Sequence, residues 1–158
     1  MVLESSLFLI KPCGMEFRED ILDSITDVGD ISSLTDYMNS PLDKIRSHYA
    51  AHKGCPYFDW ILMMFEGRPM STGIVTGDDA ITALLDITGD RDPKKAYEEN
   101  PDSIRGWAYH LMGETLERSI SEGRACQNLI HRSRDTVSFL REFYIWYPDR
   151  RPPVVPRK

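Results

Sequence analysis

The chain has 158 residues, 41% hydrophobic, 28% charged and 10% aromatic: apolar material for one core, and too little length for two comfortable domains. Its 25 acidic and 19 basic side chains leave a net charge of -6, which excludes general nucleic-acid affinity unless cations gather on one face. No apolar run approaches the roughly 18 residues of a membrane-spanning helix, and the first residues carry no basic-then-apolar leader. Cys13, Cys55 and Cys126 are widely spaced and odd in number, without a C-x-x-C pair, which fits neither a disulfide framework nor a zinc site. Three free thiols in a cytoplasmic protein are the expectation.

In chain order, Leu7–Ile10 is a short apolar run closed by Lys11-Pro12-Cys13-Gly14, the pattern of a buried strand ending in a turn that exposes Lys11. Phe17, Ile21, Leu22 and Ile25 recur at helical spacing up to Gly29. Ile31–Met38 alternates weakly, as a second strand would. Ser40-Pro41-Leu42 predicts a helix capped by the serine with proline at its first position, carrying Ile45, His48, Tyr49 and His52. After a break at Gly54-Cys55-Pro56, residues 57–65 are apolar nearly all round and predict a largely buried segment.

Met70–Val75 resembles a strand, and Gly77-Asp78-Asp79 supplies a turn and cap for a helix bearing Ile81, Leu84 and Leu85. Residues 94–105 are polar and predict a loop, followed by one or two helical turns around Gly113. Asn128–His131 predicts a short strand, and Ser133-Arg134-Asp135 predicts a cap for a helix with apolar positions Val137, Leu140, Phe143 and Tyr144. Residues 149–158 form a basic, proline-rich tail suited to extended backbone. Strands alternating with helices indicate an α/β or α+β sandwich.

Neither glycine-rich phosphate cradle, G-x-x-x-x-G-K-[ST] or G-x-G-x-x-G, is present, and H-E-x-x-H is absent. His48 and His52 lie one helical turn apart but lack the glutamate that would act as base; ordinary packing or surface roles are the expectation for them. His131 has more chemistry around it. It ends an apolar run, is flanked by Arg132 and Arg134, and precedes a helix start, a setting that welcomes an anion. A neutral imidazole has one ring nitrogen free as a nucleophile when an acceptor holds the other. Cys126 has no evident base and reads as a small buried thiol.

Four segments read together carry a resemblance: Leu7-Phe8-Leu9-Ile10-Lys11-Pro12-x-Gly14, His48-Tyr49-x-x-His52-x-x-x-Pro56-Tyr57-Phe58, Ser103-Ile104-Arg105-Gly106 and Asn128-Leu129-Ile130-His131-x-Ser133. In that order they resemble the signatures of nucleoside diphosphate kinases over nearly the whole chain. The resemblance implies a ferredoxin-like βαββαβ sandwich, an antiparallel sheet covered by helices. It also implies ping-pong transfer of a γ-phosphate between nucleotides through a phosphohistidine.

By that resemblance His131 is the nucleophile, Glu142 orients its imidazole, and Ser133 is the hydroxyl beside it. Lys11, Tyr49, Arg105 and Asn128 line the phosphate and ribose end, while Tyr57 and Ile61 sandwich the base. Mg2+, held mainly by the nucleotide's phosphates, is the implied cofactor. Nucleoside triphosphates and diphosphates are the implied partners, in a homo-oligomer (hexamer or tetramer), with neither membrane nor specific nucleic acid.

The departures from the family pattern are local. Leu85 stands where the family has a phosphate-binding arginine, and Arg91 stands where a threonine is usual, so Arg91 is expected to take over the lost phosphate contact. Arg132 and Arg134 replace the glycine and aspartate after the nucleophile, pointing either at an anion or into solvent or a neighbouring subunit. The stretch 107–126 is about a dozen residues longer than usual, an insertion suited to covering the cleft or shaping an assembly contact. The chain then reads as one domain over 1–148 and an extended tail over 149–158. An active kinase leads, with a catalytically weakened nucleotide-binding or assembly module of the same fold, and a phosphohistidine relay to a protein, as alternatives.

Overall fold

The computed structural model describes residues 1–154. Four strands form one antiparallel sheet in the order β2-β3-β1-β4: β1 (Leu3–Ile10), β2 (Asp30–Tyr37), β3 (Met70–Asp78) and β4 (Ile130–Arg132). Residues 5–10 of β1 are all buried, because the strand lies between β3 and β4 and is covered on both faces. Successive side chains alternate between those faces. Leu7 and Leu9 join Ile45, Phe65, Ile74, Phe139, Phe143 and Trp146 in one core, and Phe8 and Ile10 join Ile21, Ile25, Val75, Leu84 and Ile104 in the other.

The described residues form eight α-helices: α1 (Arg18–Thr26), α2 (Leu42–His48), α3 (Pro56–Phe65), α4 (Ala80–Thr88), α5 (Pro93–Glu99), α6 (Ile104–Met112), α7 (Leu116–Ser121) and α8 (Thr136–Trp146). Helices α2, α3 and α8 pack on the first face, and α1, α4 and α6 on the second. The result is the ferredoxin-like α+β sandwich expected. Close approach on the second face depends on Gly73: a Cβ there would lie 2.4 Å from the Phe8 ring.

Several local expectations are corrected. The polar stretch after Pro93 is helical rather than a loop, because Asp92 caps it by accepting from Lys94 N at 3.2 Å and proline fills its first turn. Ser40 does not cap α2; its hydroxyl donates to the Arg68 carbonyl at 2.8 Å. Asp79 accepts from Val2 N, and Glu4 accepts from Ile81 N in its place. Helix α3 is not largely buried: only Met64 and Phe65 are, and Tyr57 and Met63 face outward. In α8 the inward stripe is Phe139, Glu142, Phe143 and Trp146, while Val137 and Tyr144 are exposed. Of the tail, Arg150 donates to Ser33 Oγ at 3.0 Å, and residues 155–158 lie outside the described residues.

Candidate active site

The site gathers at the outer edge of β4. His131 pairs with Leu9 across the sheet, so its ring falls on the α8 face, where Glu142 meets it one turn before the buried Trp146. The His131 Nε2 contacts both carboxylate oxygens, at 2.8 and 3.0 Å. An ionised carboxylate only accepts, so Nε2 carries the proton and Nδ1 keeps the lone pair. Nδ1 has no protein partner among the described residues, and the side chain, 22% exposed, lines an open cleft.

Burial, and then the charges of Lys11, Arg105, Arg132 and Arg141, hold the His131 pKa well below its ordinary value, so the ring is neutral at neutral pH. Burial pushes the Glu142 carboxyl up, while His48, Arg141 and the Ser133 hydroxyl pull it back. Ser133 is fully buried. It donates to Glu142 Oε2 at 3.4 Å and accepts from Leu7 N at 3.3 Å, so it braces the carboxylate from beneath.

His48 lies on the inner face of α2 with its ring edge-on to His131, centroids 4.3 Å apart, and its Nδ1 accepts from Trp146 Nε1 at 3.0 Å. His48, His131 and Glu142 form a group that could offer three ligand atoms within 4.8 Å, although His131 and Glu142 already bond each other. His52 turns away, meeting the Tyr57 hydroxyl at 3.1 Å through Nδ1. Tyr49 is buried against both His48 and His131, and its hydroxyl lacks any hydrogen-bond partner among the described residues.

The cations approach from three elements. Lys11, at the end of β1, donates from Nζ to Asn128 Oδ1 at 2.7 Å, and Asn128 Nδ2 donates to the Arg91 carbonyl at 3.0 Å. Burial and the neighbouring Arg105 bring Lys11 down to about 8. Arg105, only 4% exposed, donates to the Ile130 carbonyl on the free edge of β4 at 2.8 and 3.3 Å and to the Gly89 carbonyl at 3.4 Å. It satisfies an edge strand's unpaired carbonyl and carries its charge behind the site, lowered by burial to about 9. Arg91 is exposed at the cleft mouth.

A second cleft, of about 360 Å3, adjoins the first and shares His52 and Arg91 with it. Tyr57 and Ile61 stand one turn apart on α3 and so form a single wall rather than the two faces of a sandwich. The facing wall is Leu116 and Ile120 of α7 with Ala125, from the longer segment. The longer segment, expected either to cover the cleft or to shape an assembly contact, thus lines the cleft. Glu114, almost fully buried, fixes it by accepting from Arg124 and from Gln127 N and Thr115 N.

A family model described as nucleoside diphosphate kinase matches residues 4–151. The nucleoside diphosphate kinase of Rhodococcus jostii is 32% identical over 148 residues, covering 92% of this chain and 95% of that protein. That of Mycolicibacterium vanbaalenii is 32% identical over 149 residues, covering 93% and 98%. The Borrelia burgdorferi enzyme, solved with vanadate and ADP, superposes with a TM-score of 0.82 at 22% identity, covering 99% of this chain and 94% of that one. The Aquifex aeolicus enzyme gives 0.73 at 24% identity, covering 92% and 96%. These two likenesses speak for the fold alone; with the family match and relatives above 30% identity across nine-tenths of the chain, they mean that this chain belongs to the nucleoside diphosphate kinase family.

Proposed function

We propose that the chain moves the γ-phosphoryl group of a nucleoside triphosphate to a nucleoside diphosphate through a phosphohistidine at His131. The observation that carries this reading is the neutral imidazole, held at Nε2 by Glu142, with Nδ1 unpartnered beside a cationic cleft. In the first half-reaction the Nδ1 lone pair forms a bond to the γ-phosphorus. The bond from phosphorus to the bridging oxygen breaks, and its electrons leave on the diphosphate. Positive charge then grows on the ring, and the Glu142 carboxylate against Nε2–H stabilises it. The second half-reaction runs the same steps backwards onto a new diphosphate, so ping-pong kinetics are expected.

Phosphoryl transfer asks a protein chiefly for alignment and for charge around the transferring oxygens. Lys11 supplies an ammonium at the cleft and Arg105 a fixed positive field behind it. The Tyr49 hydroxyl, a donor without a partner among the described residues, is suited to a ligand oxygen, and Asn128 aligns Lys11 with the Arg91 turn. Arg91 takes the phosphate contact that Leu85 cannot make. The base lies between Tyr57 and Ile61 on one side and Leu116 and Ile120 on the other, with apolar contact that tolerates different bases.

Family enzymes use a divalent cation, and Mg2+ fits this site only on the nucleotide. Glu142 is the sole carboxylate among the described residues lining the two clefts, and His131 occupies it. A hard cation prefers phosphate oxygens and water to imidazole, and bound there it neutralises charge across the bridging phosphates. A homo-oligomer, hexamer or tetramer, belongs to the proposal, supported by the free outer edge of β2. So does a cytoplasmic setting, supported by the three free thiols.

The test is to incubate the protein with γ-labelled ATP and Mg2+. An acid-labile, alkali-stable label that unlabelled nucleoside diphosphates chase away is expected, and its absence from wild-type protein overturns the reading. Label that leaves only to another protein favours a relay instead.

A further inference from the structure

Arg132 follows the nucleophile and lies on β4, the strand at the sheet edge. Alternation sends its side chain to the α4 face, opposite His131, yet both side chains line the same cleft because no further strand separates the two faces there. Its Nε donates to Thr88 Oγ1 at 2.8 Å, and one Nη2–H points to the Gly89 carbonyl at 3.5 Å. The Thr88 hydroxyl is itself fixed at the end of α4 by donation to the Leu84 carbonyl at 2.9 Å. The guanidinium is therefore anchored at one corner, and its remaining donors have no protein acceptor among the described residues.

Two further observations bear on what those donors serve. Arg105 donates to the same Gly89 carbonyl, so two guanidinium groups converge on one oxygen with Lys11 nearby, a like-charge cluster that an anion would relieve. Of the carboxylates that act on Arg132, Asp90 is taken up by Lys95 at 3.3 Å and Glu142 by His131, and Arg132 makes no ion pair among the described residues. The other cations around the cleft are placed differently. Arg91 is exposed at its mouth, Arg105 is buried against backbone carbonyls, Arg141 donates to the His48 carbonyl, and Arg134 is 82% exposed beside Asp135. Arg132 is the half-buried, anchored cation with open donors next to His131.

We propose that Arg132 is a catalytic residue of this site: anchored through Thr88 and Gly89, its guanidinium binds the oxygens of the phosphoryl group passing to and from His131. This rests on the phosphohistidine reading. The fork's geometry suits equatorial phosphate oxygens, and its contribution is largest where their charge is spread in the transition state. The guanidinium neither gains nor loses a proton in the step.

The experiment compares wild type, Arg132→Gln, Arg132→Lys and Thr88→Val by steady-state kinetics, by the rate of His131 labelling from γ-labelled ATP, and by melting temperature. Expected for Arg132→Gln is a loss of at least tenfold in kcat and in labelling rate, with a smaller change in KM. Arg132→Lys should recover part of it, since it keeps the charge and loses the fork, and Thr88→Val should lose less because it removes only the anchor. Melting temperatures of the two Arg132 variants should agree. The inference is overturned if Arg132→Gln keeps kcat within twofold of wild type. It is equally overturned if Arg132→Lys is as impaired as Arg132→Gln and both losses follow lowered melting temperatures, the signature of a structural tie to α4. Wild-type protein that takes no label removes the phosphohistidine reading and this inference with it; label on wild type with an indifferent Arg132→Gln removes this inference alone.

Discussion

The chemistry of the site is decided by which ring nitrogen of His131 is free. Glu142 takes Nε2, and the helix that carries Glu142 is held by Phe139, Phe143 and Trp146 in the core, so the orientation is set by packing as well as by the hydrogen bond. Glu142→Gln keeps an acceptor of the same shape and loses the charge that stabilises the imidazolium character of the transferring state. The expected outcome is a kcat lowered about 100-fold, the lower end of the range for a positioned acid-base partner, with folding little changed. A wild-type kcat in that variant would remove the charge from the mechanism.

The same groups set the pH dependence. His131 is held well below its ordinary pKa, so kcat/KM is expected to stay flat on the acid side of neutrality, where an ordinary histidine would already protonate. On the alkaline side Lys11, at about 8, loses its charge first, and kcat/KM should bend down there. A bound phosphate restores the Lys11 charge, so nucleotide binding near that pH takes up a proton. Calorimetry in buffers of different ionisation enthalpy measures the uptake, and zero uptake would contradict the role given to Lys11.

At the scale of elements, the site depends on how the turn after β1 meets the lead-in to β4. Gly14 lies in that turn, and a Cβ there would stand 2.4 Å from the Leu129 carbonyl oxygen, the acceptor for Lys11 N at 2.9 Å. Backbone cannot rotate away as a side chain end would. Gly14→Ala is expected to cost about 2 kcal/mol of stability in a urea titration, an ordinary overpacking penalty, and to weaken nucleotide binding by displacing Asn128 from Lys11.

This contact also marks what a single sequence can convey. The buried run of β1, the period of α1 and the sequence Asn128–His131 announced their elements because hydrophobic spacing is local. The stretch from Pro93 did not, because its helix is short and polar and is fixed by one carboxylate, Asp92, which also accepts from Leu116 N at 3.1 Å across the chain. Spacing alone puts Val137 and Tyr144 on the apolar stripe of α8, but the sheet selects the neighbouring stripe with Phe139 and Trp146. Of the site, Lys11, His131 and Glu142 were legible through a family resemblance. The anchoring of Arg132 on Thr88 was not, since it depends on a residue dozens of positions away, and for the longer segment the cleft was one of two open expectations.

Across the whole molecule, a chain of net charge -6 concentrates Lys11, Arg91, Arg105 and Arg132 around one cleft, so its overall field repels anions while the site attracts them. That arrangement costs stability in the absence of ligand. Lys11 drops from 10.5 in the unfolded chain to about 8 when folded, so between those values the unfolded state binds more protons and stability rises with pH. Below about 8 both states hold the proton and the unfavourable contribution is fully present. A nucleotide that binds only the folded state opposes it. At free ligand about 100 times Kd it adds about 2.7 kcal/mol, which for a domain of this size raises Tm by about 5–10 °C. Because the attracting charge fades as Lys11 deprotonates, the ADP-induced shift should shrink between neutral pH and the alkaline side of Lys11 while unliganded Tm gains from the same group. Melting curves with and without ADP, at one protein concentration so that assembly does not enter, measure both trends. A ligand shift that is unchanged across that range would mean that the Lys11 ammonium does not hold the nucleotide.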